Sequence, residues 1–158
     1  MNTVAARGLS LAIVVAAWTA ISHIGRVPLQ LWPVIVGLAC FLAAGGGMPG
    51  LQKSMAGTSS GVVWVLLYVA ISRALGRQEI LDALVLGGAV FGMVWQARVP
   101  LLSYTAGAIA GAGVTMGVLG VRSVNVEGGV RVAIALAVGA VLGYVAEWLT
   151  ARIRTRGA

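Results

Sequence analysis

The chain has 158 residues, of which 59% are hydrophobic, 9% are charged and 23 are glycine, and its mean hydropathy is +0.98. This composition excludes an ordinary soluble globular domain and indicates a membrane protein. A bilayer core of about 30 Å needs about 20 helical residues per crossing, so six crossings would use about 120 residues. The function must therefore reside in the membrane helices and their short loops.

Glycine, proline and charged residues divide the chain into six apolar blocks, over about residues 9–24, 28–44, 51–72, 80–96, 100–119 and 130–149. Pro28 and Pro100 are expected to open the second and fifth blocks, because proline suits a first helical turn. The glycine-rich run 45–50 is expected to be non-helical. The blocks lack two-residue alternation, so we predict an all-α bundle of about six transmembrane helices. It forms one domain, residues 1–151, followed by a basic tail, residues 152–158.

The chain carries 11 Lys and Arg residues against 4 acidic residues, a net charge of +7. The cations stand singly or in pairs between the blocks, which is typical of membrane anchors rather than of nucleic-acid binding. We expect the tail cluster of Arg152, Arg154 and Arg156 to contact anionic lipid head groups. A small cation excess over the opposite loops predicts that both termini are cytoplasmic.

A shift of fifty residues aligns residues 36–61 with 86–111 and gives seven identities, Gly37/Gly87 and Gly61/Gly111 among them. The alignment predicts a parallel repeat of a two-helix hairpin, in which blocks two and three correspond to blocks four and five. Functional groups are then expected at the two equivalent hairpin breaks.

Pairs of glycines four residues apart recur within the blocks: 57/61, 88/92, 107/111, 113/117 and 139/143. This spacing puts both glycines on one helix face and lets two helix backbones approach closely. Most of the pairs are expected to pack inside the bundle. Contact between copies in a homo-oligomer is the alternative, and a narrow glycine-lined pore is a third.

Residues that could carry catalysis are sparse. The chain has one His, His23, and one Cys, Cys40, which lie far apart in sequence and cannot form a metal site of three or four ligands. No Ser/His/acid arrangement is evident. We therefore expect no enzyme activity and no metal or cofactor.

Polar side chains gather at the two hairpin breaks and near the end of the last block. They are the candidate pore or vestibule residues Gln52, Lys53, Ser54, Trp64, Gln96, Arg98, Ser103, Tyr104 and Glu147. In one interpretation Lys53 and Arg98 form an electropositive vestibule, and Glu147 pairs with one of them. In the other, the three charged side chains reach the membrane interface separately. Trp64 lies inside its block, where it fills core volume or gates a pore.

The strings Gly37–Phe41, Gly45-Gly46-Gly47 and Ser60–Trp64, with Gln96-Ala97 and Gly143-Tyr144, resemble those of domain-of-unknown-function family 1097. The resemblance covers nearly the whole chain except the arginine tail. It implies a compact multi-span protein of the bacterial inner membrane, with no substrate or catalytic residues to carry over. Our hypothesis is a homo-oligomeric channel or transporter for a small solute, with an anion as one candidate. The rival is a non-conducting structural or accessory membrane subunit.

Overall fold

The computed structural model describes residues 3–155, except for the side chains of residues 154 and 155. This part of the chain is all-α and contains six α-helices. They are α1 (Thr3–Ile24), α2 (Leu31–Ala43), α3 (Gly47–Ala74), α4 (Glu79–Trp95), α5 (Thr105–Leu119) and α6 (Val126–Thr155). Two single 3-10 turns, Gln96–Arg98 and Pro100–Leu102, join α4 to α5.

Four of these helices are long and apolar enough to cross a membrane, namely α1, α3, α4 with its 3-10 extension, and α6. The other two, α2 and α5, have 13 and 15 residues. At a rise of 1.5 Å per residue they span only about 20 Å and about 22 Å. The predicted all-helical class is confirmed. The short length of α2 and α5 was not predicted.

Among the helix boundaries, the three that were predicted from proline and glycine differ in the structure. Pro28 lies in a segment without regular secondary structure and α2 begins only at Leu31, with Pro33 in its first turn, where no intrahelical N–H is required. Pro100 opens a 3-10 turn rather than α5. In the glycine-rich run, α3 already begins at Gly47, so the expectation that all of residues 45–50 are non-helical was wrong.

The long helices α3 and α6 run antiparallel through the centre of the bundle. The start of α3 contacts the end of α6 at Gly47 and Glu147, and the end of α3 contacts the segment before α6 at Arg73 and Val124. Helix α2 packs along α6 and α5 packs along α3, while α1 and α4 flank α6 and α3 respectively.

Each short helix crosses its long partner at two glycines. A Cβ on Gly61 would lie 1.9 Å from the Ala108 carbonyl oxygen, and a Cβ on Gly111 would lie 2.1 Å from the Thr58 carbonyl oxygen. No side chain fits at either position, so the backbones of α3 and α5 are in direct contact. These glycines pack inside the bundle, as expected for most of the four-residue pairs.

The crossing of α2 with α6 repeats this arrangement. A Cβ on Gly139 would lie 1.9 Å from the Val34 carbonyl oxygen, and one on Gly37 would lie 2.1 Å from the Leu136 carbonyl oxygen. Gly111 follows Gly37 by 74 positions, and Gly139 follows Gly61 by 78. The contacted residues Val34 and Ala108 are also 74 apart, and Thr58 and Leu136 are 78 apart.

These contacts make the three-helix segment α1–α3 structurally equivalent to the segment α4–α6. They do not make the hairpin α2–α3 equivalent to the hairpin α4–α5. The long helices α3 and α6 occupy equivalent places and are antiparallel, so the two three-helix segments have opposite orientations. The fifty-residue hairpin repeat is not confirmed by the packing. Its first glycine pair differs, since Gly37 contacts a neighbouring backbone and Gly87 has open space around it.

Candidate functional site

The bundle has two ends, which we call the first and second faces. The first face carries the starts of α3 and α5, and the second face carries the starts of α2, α4 and α6. Because α3 and α6 are antiparallel, equivalent parts of the two three-helix segments lie on opposite faces. The predicted site residues other than Trp64 belong to the first face.

A cavity of about 290 Å³ opens on the first face between the start of α3 and the segment that leads into α5. It is lined by Pro49, Gln52, Lys53, Pro100 and Leu101. Two of the predicted residues, Gln52 and Lys53, therefore share a cavity, and both side chains are exposed. A cation at the mouth of such a cavity attracts anionic or polar solutes.

Arg98 does not contribute to this cavity. Its guanidinium lies over the Trp95 ring, 3.5 Å from the ring centroid, in a cation–π contact. Both residues are exposed on the outside of the bundle. The structure therefore does not bring Lys53 and Arg98 together in one vestibule. Arg98 lies on the outside of the bundle at the end of α4, whereas Lys53 faces the segment that leads into α5.

Glu147 binds neither of these cations in the structure. Its carboxylate accepts a hydrogen bond of 2.7 Å from the backbone N–H of Gly47, the first residue of α3. A carboxylate is favourable there because the first N–H groups of a helix lack internal partners and carry partial positive charge. Glu147 thus fixes the end of α6 to the start of α3.

Trp64 and Gln96 are brought together in a chain of hydrogen bonds between α3 and the end of α4. The Trp64 indole N–H donates to Gln96 Oε1 at 3.0 Å, and Gln96 Nε2 donates to Ser60 Oγ at 2.8 Å. Ser60 Oγ in turn donates to the Gly57 carbonyl at 2.7 Å. The Trp64 ring packs on Gly92, where a Cβ would lie 2.2 Å from it. Trp64 therefore fills volume between two helices.

The remaining predicted residues have local or packing contacts. Ser54 is fully buried and donates to the Leu51 carbonyl, while Ser103 donates to the Pro100 carbonyl. The Tyr104 ring lies against Gly57 on α3. Partial burial raises the pKa of Tyr104 above its ordinary value, and its interaction with the Cys40 thiol adds to the shift. The Tyr104 hydroxyl is accordingly neutral near pH 7.

Two cavities on the second face were not predicted from the sequence. One of about 180 Å³ lies between the start of α2 and the facing turns of α5 and α6. It is lined by Pro28, Leu29, Gln30, Pro33, Val118, Leu119, Gly128, Arg131, Val132 and Ala135. The other, of about 410 Å³, is lined by Tyr68, Val69, Ser72, Arg77, Glu79, Asp82, Val121 and Arg122. In the larger cavity the Ser72 hydroxyl donates to the Asp82 carboxylate.

The part of the bundle between the two faces is closely packed. Val65, Met93, Ala108 and Ala112 belong to a buried apolar cluster between α3, α4 and α5. The buried hydroxyl of Thr115 donates to a carbonyl of its own helix. None of these three cavities has lining residues on both faces.

The basic tail is described only in part. The Arg152 guanidinium lies 4.5 Å from the centroid of the Trp148 ring, and helix α6 continues to Thr155. The Arg154 side chain and Arg156 lie outside the described residues. Within residues 3–155, no group of three or more His, Cys, Asp or Glu side chains is placed to hold a metal ion.

Comparison with known proteins places the chain in a family. The family described as "Protein of unknown function (DUF1097)" matches residues 8–151. The chain belongs to the DUF1097 family. It is 31% identical over 140 residues to the Escherichia coli (strain K12) protein named Inner membrane protein YcdZ, covering 85% of this chain and 79% of that protein.

A second Escherichia coli relative, named Uncharacterized protein YahC, is 32% identical over 122 residues, which cover 70% of this chain and 73% of that protein. No solved structure matches the chain. The family expected from the glycine and tryptophan strings is thus confirmed. With its long apolar helices, this DUF1097 chain is an integral membrane protein.

Proposed function

We propose that this DUF1097 protein is a multi-pass protein of the inner membrane that carries a small polar solute across it by opening alternately toward each face. The name of the YcdZ relative supports the location. The correspondence between α1–α3 and α4–α6 carries the proposal. Two halves of opposite orientation can exchange conformations, so an outward-open state follows from an inward-open state by symmetry.

The two short helices support the same proposal. Unusually short hydrophobic helices at corresponding positions of two inverted halves mark the binding region of many transporters. Here α2 and α5 are the short helices, and each is the second helix of its half. Each also crosses a long helix through glycines without intervening side chains, which provides a smooth contact along which one half can tilt against the other.

The closed centre of the bundle argues for a carrier rather than an open channel. Cavities of about 290 Å³ and about 410 Å³ lie on opposite faces, and the buried cluster of α3, α4 and α5 lies between them. A carrier passes through such an occluded state, whereas a channel requires a continuous polar path. The same packing also suits the rival, a non-conducting accessory subunit, so the two must be separated by experiment.

The proposal includes cytoplasmic termini, which put the Lys53 cavity on the cytoplasmic side and the arginine tail at anionic lipid head groups. It contains no catalytic step. The proposal also includes a homo-oligomeric assembly, which native mass spectrometry of the protein in lipid nanodiscs would test.

Solute flux into proteoliposomes tests the proposed function. A panel of small anions and neutral solutes would be offered to vesicles with and without the purified protein, and uptake followed by stopped-flow light scattering. We expect protein-dependent uptake of at least one solute, and we expect Lys53→Ala to reduce it. Arg98→Ala is the matched control, because Arg98 rests on Trp95 outside the cavity. Impermeability to the whole panel would favour the accessory subunit.

A further inference from the structure

The cavity at Lys53 has a counterpart on the opposite face. Arg131 in α6 lies 78 positions after Lys53 in α3, which is the offset that relates Gly61 to Gly139 at the helix crossings. Arg131 lines the cavity of about 180 Å³ on the second face, as Lys53 lines the cavity of about 290 Å³ on the first. The two cations therefore hold equivalent places in the two inverted halves.

In both cavities another wall comes from the segment that leads into a short helix, although the individual lining residues of that wall are not at the offset of 74. Beside Lys53 lie Pro100 and Leu101, in the segment that leads into the short helix α5. Beside Arg131 lie Pro28 and Leu29, in the segment that leads into the short helix α2. Each cavity thus combines a cation from the first turns of a long helix with the proline-containing entry of a short helix.

The start of α2 borders the second cavity, where Gln30 and Pro33 are lining residues. Gln30 provides no side-chain hydrogen bond to the first N–H groups of α2, and these groups carry partial positive charge that favours an anion. The start of α5 differs, because the N–H groups of Gly107 and Ala108 already donate to the Tyr104 carbonyl. The start of α3 is likewise already bonded, to the Glu147 carboxylate.

We infer that the Lys53 and Arg131 cavities are paired binding sites for a small monovalent anion, one at each face of the membrane. The inference rests on the proposed transport function and names its substrate class. Each cavity is lined by one cation, so an anion released from one would meet a second positively charged site at the other. Cavities of about 180 Å³ and about 290 Å³ hold an ion of the size of formate or nitrate together with water, whose share of liquid volume is about 30 Å³ per molecule.

Arg131 also has an internal acidic partner. Its Nη2 lies 2.5 Å from Glu127 Oε1, one turn earlier in α6, and both side chains are largely exposed. An exposed pair of this kind is weak, and a guanidinium has five N–H donors, so Arg131 can hold Glu127 and a bound anion together. Glu127 then lowers the anion affinity of the second face and makes it the weaker of the two sites.

The experiment uses a cysteine beside each cation while the cation stays in place. In a Cys40→Ser background, Gln52→Cys probes the first cavity and Gln30→Cys probes the second, since each glutamine lines its cavity. The rate of modification by a charged, membrane-impermeant methanethiosulfonate is measured in formate against gluconate at equal ionic strength. Formamide serves as the neutral control of the same shape.

Formate is expected to slow modification at both probes, by about twofold once its concentration equals its dissociation constant. Lys53→Gln should abolish the protection of Gln52→Cys, and Arg131→Gln should abolish that of Gln30→Cys. Glu127→Gln should strengthen protection on the second face. As a control, Arg98→Gln should leave protection unchanged, because its side chain lies outside the cavities.

The outcomes separate this inference from the proposed function. Formate protection that depends on Lys53 and Arg131 supports paired anion sites even if the wild-type protein shows no flux, and in that case only the transport proposal falls. Protection by formamide as well, protection that survives removal of the cations, or no protection at either probe overturns the paired sites. Each of those results can coexist with flux of a neutral solute, which would leave the transport proposal standing.

Discussion

Replacement of Gly61 by alanine tests the backbone contact on which the fold depends. A Cβ at this position would lie 1.9 Å from the carbonyl oxygen of Ala108. Close helix crossings keep carbon and oxygen at about 3.3 Å, so α3 and α5 would have to separate by about 1.4 Å. The obstructing atom belongs to a helix backbone and cannot turn aside as a side chain would. We therefore expect a loss at or above the upper end of the about 1–3 kcal/mol that is typical of overpacking.

The measurement is the free energy of unfolding in mixed micelles, titrated with sodium dodecyl sulfate and followed by tryptophan fluorescence. Gly139→Ala should cost as much as Gly61→Ala, because its Cβ would meet the Val34 carbonyl oxygen at the same 1.9 Å. Gly88→Ala is the control, since position 88 in α4 is exposed and has nothing within 4 Å. A stable Gly61→Ala variant, or an equal loss in Gly88→Ala, would refute the direct backbone contact.

Two further predictions concern hydrogen bonds that join one helix to another. Glu147→Ala should lower the free energy of unfolding by about 1–2 kcal/mol because α3 loses a capping carboxylate, while Glu147→Gln should retain part of that stability through its amide oxygen. Equal losses in the two variants, in the same micelle titration, would contradict a capping role. Trp64→Phe should cost about 1–3 kcal/mol because it leaves the half-buried Gln96 amide oxygen without its donor, and combining it with Gln96→Leu should recover part of the loss. Strict additivity in this double-mutant cycle would exclude the Trp64–Gln96 hydrogen bond.

The sequence supports the helical class and the family because both depend on long, unambiguous patterns. Hydropathy alone marks six apolar blocks, and the glycine and tryptophan strings around Ser60–Trp64 point to the DUF1097 family. Boundaries were harder to predict. In the run 45–50, positive φ values are confined to Gly45, Gly46 and Gly47, so the helix resumes sooner than the glycine content suggests.

The arrangement of the site could not be predicted in the same way. Lys53 and Arg98 lie at breaks that an alignment of fifty residues makes equivalent, yet their side chains diverge because Arg98 rests on Trp95. The relation that places Lys53 opposite Arg131 uses two different offsets, 74 for the short helices and 78 for the long ones. A search at one fixed shift misses such a relation. It becomes visible only when backbone contacts identify which glycines are equivalent.

Counterflow in proteoliposomes tests most directly whether two inverted halves carry a solute by alternate opening. Vesicles containing the protein would be loaded with unlabelled formate, diluted into a trace of labelled formate, and sampled over time. If the carrier reorients across the membrane faster with formate bound than without it, labelled formate should accumulate transiently inside these vesicles. Its level should exceed that in vesicles that contain the protein but no unlabelled formate. Label uptake that is the same with and without unlabelled formate inside the vesicles would indicate a pore. Uptake no greater than in protein-free vesicles would contradict the transport of formate by this protein.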